Sequence, residues 1–390
     1  MLEIGVSHID ETLASKGART LDVRISSSRS FMTPTRPISV KEASAKNFLG
    51  YRGEVDAPLS AYPMDLKTGD RFERFSRNNG FIKKEKRALQ SFLYSNYKRP
   101  CFTILQLPPL SAEDRHPFKV AFDMQKDMDG LDLMCIPEID QNSRGYERMV
   151  NDWCKSAEDC GKLAVPQLCL GDDLDVFEKR LDFLCELSET GSIPVVNIRY
   201  SSDNDHQLVS LWSRRDDLRS IVNCSETPET SKETIRIGVS SELEIDLIQH
   251  GFDSITRVKR TVSPGYIARR NMEDAPRTLD EVDQFKIAYH NAALSIEGKT
   301  WKSMPHPPEC RCSVCRGDQL DCIIERFAYK DNGDIDPSGL RYYSSLHDHQ
   351  SDMVELEVMK DYIESDGIRE YDERISENRT DILDSLRLLD

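Results

Sequence analysis

The sequence predicts an α/β fold, a (β/α)8 TIM-type barrel carrying an inserted cysteine-rich subdomain. Three observations predict it. From about residue 100, short apolar runs alternate with longer amphipathic ones. Counted with two runs upstream, the apolar segments total eight, the number that closes such a barrel. Beyond the last of them, "PPECRCSVCRGDQLDC" (307–322) packs four of the chain's 11 cysteines into one stretch.

Taken in order, "SFMTPTRPIS" (30–39) and "EVDAPLSAYPM" (54–64) supply the first two strands. Six more follow at 101–107, 131–136, 163–170, 193–200, 234–240 and 252–258. Between them, Leu174, Phe177, Leu181, Leu184 and Leu187 recur at three- and four-residue spacing, the stripe of an amphipathic helix. "SELEIDLIQHG" (241–251) ends in a glycine where a helix would terminate. Strand–helix repetition of this kind means parallel strands with helical crossovers. An open doubly wound sheet is the alternative, but no glycine-rich nucleotide-binding motif supports it. The expected division is a strand or hairpin extension over 1–30, the barrel over 31–300, the cysteine-rich subdomain over 301–365 and an acidic helix or tail over 366–390.

The chain has 390 residues, of which 38% are hydrophobic, enough for a sizeable core. No apolar run is long enough to span a membrane, and the first residues lack a signal-peptide pattern, so a cytoplasmic protein is expected. Thiols or metal sites, not a disulfide framework, fit that compartment. The net charge of −16 is uneven. Residues 351–390 hold 13 Asp/Glu against 5 Lys/Arg, whereas 81–99 holds six Lys/Arg and one Glu, and 255–270 five Lys/Arg and no acid. A basic stretch is by default a solvated face. Basic strips in an acidic chain are also where phosphates would be held.

Cys310, Cys312 and Cys315 can converge on one ion from a tight loop. A closed structural zinc site takes four N/S ligands, so Cys322, His347 or His349 would complete it. An iron–sulfur cluster using Cys322 is the competing assignment. "SSLHDHQSDMVELEVMKDYIESDG" (344–367) reads as a helix after a turn, with a histidine near its start able to reach back.

"CRCSVC" followed by "LHD" resembles the zinc motif of the tRNA-guanine transglycosylase superfamily, in which a histidine completes C-x-C-x-x-C. Here the gap from Cys315 to His347 is longer than usual, and His349 stands as the alternative ligand. "GFDSITRVKR" is similar to the family's last barrel strand, whose aspartate is the nucleophile. "IRIGVSSELEIDLIQHG", "LAVPQLCLGDD", "FDMQKDMDGLDLMCIPEI" and "SFMTPTRPIS" resemble other family strands in the right order. The likeness is nearest in character to archaeal-type and DNA-modifying members.

The resemblance implies a queuosine/archaeosine-type pentosyltransferase that replaces guanine by a 7-deazaguanine in tRNA or DNA. It implies Asp253 as nucleophile and Glu138, Gln167 and Asn197 as base-binding residues. Arg257, Lys259, Arg260, Arg269 and Arg270, following the nucleophile, are expected on phosphates. One structural zinc per chain is expected on Cys310, Cys312, Cys315 and His347 (or His349). A homodimer, or a heterodimer with a sister subunit, is expected. The family's "D-S-G-G-F-Q" has no counterpart: the matching stretch reads "CFTILQLPPLS". Asp56 and Asp65 are the candidate replacements for its aspartate. A catalytically silent partner subunit is therefore the second reading.

Overall fold

The computed structural model describes residues 3–9, 18–26, 29–48, 59–66, 69–97, 99, 101–169, 172–189, 193, 195–199, 235–240, 254–257, 288–291, 294–297, 312–316, 329, 332–334, 337–371 and 373–374. The chain is mixed α/β and divides into two compact units, Met1–Ser39 with Pro58–Arg260, and Val40–Ala57 with Thr261–Asp390.

The first unit opens with a three-stranded antiparallel sheet, β1 (Glu3–Ile9), β2 (Arg19–Ser26) and β3 (Arg29–Met32), in that order. In β2, Leu21 and Val23 are buried while Asp22 and Arg24 are exposed, the alternation of a half-buried strand. Parallel strands follow. β4 (Ile38–Ser39), β5 (Ser60–Asp65), β6 (Cys101–Gln106), β7 (Leu133–Cys135) and β8 (Leu163–Val165) pair in chain order. β9 (Gln167–Cys169), β10 (Val195–Arg199), β11 (Ile235–Ser240) and β12 (Ser254–Arg257) do the same. Only Pro166 separates β8 from β9. Its ring leaves no N–H for a ladder, yet its carbonyl accepts from Asn197 N at 2.9 Å. A parallel bridge joins Thr35, ahead of β4, to Ser254, the first residue of β12.

The crossovers are helical. β5 is followed by α2 (Gly69–Arg77) and α3 (Asn79–Ser95), β6 by α4 (Arg115–Lys126), β7 by α5 (Tyr146–Asp159) and β9 by α6 (Leu174–Glu189). In α6, Phe177, Leu181 and Leu184 are buried, as the stripe requires. Residues 241–251 lie outside the described residues.

One face of the N-terminal sheet closes over the parallel strands. Leu21, Val23 and Phe31 form a core cluster with Leu59, Ala61, Leu133, Val165 and Val195. Leu133 and Val195 are the first residues of their strands and Ala61 the second of β5, while Val165 ends the short β8, so most of this plug sits toward the strands' N-terminal ends.

The expected single strand over 30–39 is two. Residues 29–32 turn antiparallel beside β2, and only 38–39 join the parallel set. "TPTRP" divides them, because prolines at 34 and 37 remove donors from the ladder.

The second unit contains α1 (Val40–Phe48), the antiparallel pair β13 (Ala288–Asn291) and β14 (Leu294–Glu297), and the long helix α7 (Pro337–Glu364). α7 packs along α1 and against β13.

Candidate functional site

Residues 312–316 make a tight turn, closed by Arg316 N donating to the Cys312 carbonyl at 2.9 Å. The turn presents Cys312 and Cys315 to the third turn of α7, where His347 waits. Cys312 Sγ and Cys315 Sγ are 3.3 Å apart. His347 Nδ1 is 3.5 Å from the first and 2.9 Å from the second. The sulfurs are not bonded as a disulfide, whose S–S length is about 2.05 Å. All three side chains are buried, at 1%, 0% and 1% exposure. Ligand atoms this close, with no solvent to hydrate them, form a group able to hold a metal ion.

The spacings fit tetrahedral coordination. Ordinary zinc bond lengths put two sulfurs about 3.8 Å apart and a sulfur and nitrogen about 3.5 Å apart. Cys312 and His347 already stand at that spacing, and ligation asks the two sulfurs to part by about 0.5 Å and Cys315 and His347 by about 0.6 Å. Around the group, Tyr343 Oη lies 2.8 Å from Cys315 Sγ, and its ring stacks on His347 at 5.7 Å and 16°. Ser313 Oγ donates to Gln350 Oε1 at 2.8 Å, tying the turn to the helix.

The two histidines of "LHDH" part company. Two residues of helix are 200° of rotation, so they cannot share a face. His347 joins the cysteines; His349, fully buried, turns to Glu42 of α1, with Nδ1 3.8 Å from Oε2. Contrary to expectation, His347 is not near a helix start. α7 begins ten residues earlier, at Pro337, where proline suits the first helical position. Cys310 and Cys322 lie outside the described residues.

In the first unit, the strand pairing brings other sequence-selected residues into one row. Gln167 pairs with Asn197, Asn197 with Ile237, Ile237 with Ser254 and Ser254 with Thr35. Asp253 itself lies outside the described residues, immediately before Ser254. β12 thus starts at Ser254, two residues later than the expected 252. The row lies beyond the apolar plug, since Asn197 is two residues past Val195 on the same face.

Among the described residues, several polar atoms in this row have no hydrogen-bond partner. Asn197 Oδ1, Ser254 Oγ and Thr35 Oγ1 are buried and make no hydrogen bond among the described residues. Buried polar groups are nearly always paired, so a cluster of exceptions marks a place for polar chemistry. The Asn197 amide points its other end at Cys135 Sγ, 3.6 Å away. Gln167 is engaged differently: its Nε2 donates to the carbonyls of Leu105 and Ile136 at 3.1 and 2.7 Å, bracing β6 and β7.

Glu138 is 9% exposed, in the loop after β7, and its carbonyl accepts from Leu110 N. Arg180 of α6 fastens the rest of that loop. Its guanidinium donates to the carbonyls of Ile139 and Asp140 and to Asp172, and lies over the Tyr146 ring. Burial pushes the Asp172 carboxyl up, and the Arg180 charge opposes it. Sequence reasoning missed Arg180, since one arginine in an amphipathic helix carries no signal of its own.

Asp65 ends β5 in register with Gln106 of β6. Arg257 ends β12. Asp56, Lys259, Arg260, Arg269 and Arg270 lie outside the described residues. No protein-family model matches the chain, and no curated protein matches it.

Proposed function

We propose that the chain is a base-exchange transglycosylase, replacing guanine with a 7-deazaguanine in tRNA or DNA through a covalent intermediate on Asp253. The observation that carries this reading is the row Gln167–Asn197–Ile237–Ser254. Gln167 and Asn197, chosen from two separate sequence segments, meet on one line with Ser254, the chain neighbour of the residue chosen as nucleophile.

Two further observations support it. The parallel order β4 to β8, the continuation through Pro166 into β9 to β12 and the Thr35–Ser254 bridge favour eight strands closed as a (β/α)8 barrel. A cluster drawing Ala61, Leu133, Val165 and Val195 together from different strands fits the inside of such a barrel. The buried Cys312, Cys315 and His347 group fits zinc, with Cys310 as fourth ligand. Zinc so held is closed to substrate and serves structure alone.

In the reaction, the Asp253 carboxylate attacks C1′ as the bond to guanine N9 breaks. The bonding pair leaves with the base, which takes up a proton. The incoming 7-deazaguanine attacks C1′ through its own ring nitrogen, loses a proton and releases the carboxylate. The negative charge of Asp253 also stabilises the oxocarbenium-like transition state. Glu138 accepts from the N1–H and exocyclic amine of the base, and Asn197 and Gln167, whose amide nitrogens are engaged within the protein, offer their side-chain oxygens to donors on its edge. Arg257, Lys259, Arg260, Arg269 and Arg270 hold phosphates flanking a flipped nucleotide. Asp56 and Asp65 are the candidate substitute carboxylates for proton transfer.

A second reading, a silent subunit that binds nucleic acid or an active sister chain, is favoured by one observation. β6 runs into Leu107, Pro108 and Pro109 with neither aspartate nor glycine pair.

Asp253→Asn keeps size and shape but removes the charge and the nucleophile. With 7-deazaguanine withheld, unmodified protein should form a denaturation-resistant adduct with tRNA or DNA, and the variant none, with circular dichroism and zinc content unchanged. An adduct of undiminished yield on Asp253→Asn would place the nucleophile elsewhere.

A further inference from the structure

α3 carries a face that the proposed reaction does not use. Asn78 caps the helix, its Oδ1 accepting from Phe81 N at 3.0 Å. Phe81, Leu89, Phe92 and Leu93 face inward. Glu85, the only acid in α3, lies four residues from both Phe81 and Leu89 on the inward side, and its charge adds to the burial that pushes the Tyr62 phenol up. Lys86 is committed to α4, donating to the Asp123 carbonyl at 2.7 Å and pairing with Asp127 at 3.5 Å.

The outward face is left with cations and rings. Lys83, Lys84 and Arg87 are exposed. None of the three makes an ion pair among the described residues. Tyr94 is 81% exposed, and Tyr97, in the turn that follows, 69%. These are the most exposed large hydrophobic side chains among the described residues. Helical rotation puts Lys83, Arg87 and Tyr94 within about 40° of one another, on a strip about 17 Å long.

We infer that this face of α3 binds single-stranded nucleic acid, with Lys83, Lys84 and Arg87 on phosphates and Tyr94 and Tyr97 stacked on bases. An acidic chain that keeps on one helix face three exposed cations, unpaired among the described residues, is complementary there to a polyanion. Two exposed phenol rings beside them add what a phosphate contact alone does not need: flat surfaces for unpaired bases, which a duplex hides. The inference stands apart from the assignment of Asp253, because it concerns binding only.

Fluorescence anisotropy of labelled oligothymidylate with the full chain tests it. Tyr94→Ala/Tyr97→Ala should weaken binding about tenfold or more while leaving the salt slope unchanged. Lys83→Ala/Arg87→Ala should lower the slope of log affinity against log salt by about 1.4. All four side chains project outward, so circular dichroism should be unaltered. In a background of Arg257→Ala/Lys259→Ala/Arg260→Ala the tyrosine effect should persist. Failure of the unmodified protein to bind the oligonucleotide, or full affinity in the tyrosine variant, would overturn the inference. So would equal competition by polyglutamate of matched charge, which would assign the face to an acidic protein partner.

Discussion

Gln125 shows how much one side chain holds. It sits on α4, fully buried, and behaves like a short piece of strand. Its Oε1 accepts from Cys135 N at 2.9 Å and from the Thr103 hydroxyl, and its Nε2 donates to the carbonyls of Cys135 and Ala121. β6 and β7 share a single registered pair, Phe102 with Leu133, so the amide supplies bonds that the ladder lacks. Gln125→Leu fills the space but strands the Cys135 backbone groups. It should destabilise the fold by about 1–3 kcal/mol for each group left unpaired, measured by urea unfolding. The thiol of the same Cys135 is pushed up to about 12 by burial, against weaker opposing hydrogen bonds from Leu105 and Asn197. Burial does the same to Cys101 and Cys154. Their folded-state pKa exceeds the unfolded 9.0, so folding retains protons on them. The stability they confer is complete below pH 9 and is lost as pH rises towards about 12. Iodoacetamide at about pH 8 should therefore modify exposed Cys160 well before Cys101 or Cys135. Mass spectrometry of the native protein checks the order; early labelling of Cys135 would contradict its burial.

Among elements, α7 and the Cys312–Arg316 turn form a unit that no single segment specifies. The turn has no hydrophobic stripe, and α7 offers it one histidine, one tyrosine and one glutamine. A bound ion would couple the two, since ligation free energy is folding free energy. One zinc per chain is expected. Cys312→Ser should lose it, and chelation should lower the thermal midpoint of the unmodified protein but not of the variant. Iron with visible absorbance, or full zinc in Cys312→Ser, would refute the assignment. The spacing C-x-C-x-x-C was legible at once, because thiolates must cluster to share an ion. That His347 and not His349 joins them was not, since both stand in "LHDH" and only the helical phase separates them. The start of α7 was also hidden. "DPSG" reads as a turn, yet here proline at 337 opens the helix and Gly339 is carried inside it.

For the whole molecule, the parallel strands were readable because buried strands show as apolar runs between helical stripes. All six expected beyond residue 100 exist within a few residues of their predicted bounds. The row across β9 to β12 was not readable, since register depends on pairings between segments up to about forty residues apart. It is the row that turns Gln167, Asn197 and the neighbour of Asp253 from separate motifs into one place. The basic stretch is helical over residues 81–95, with one inward face, so its charges there are sorted by contact and not by composition. The central claim is that this place exchanges bases. Radiolabelled guanine incubated with the protein and guanine-containing tRNA, and separately with duplex DNA, tests it whatever the natural incoming base. Base exchange should place label in one of the two polymers, dependent on Asp253 and independent of ATP. No label in either polymer, with folded, zinc-replete protein both alone and with any sister subunit, would contradict it and leave a binding subunit in its place.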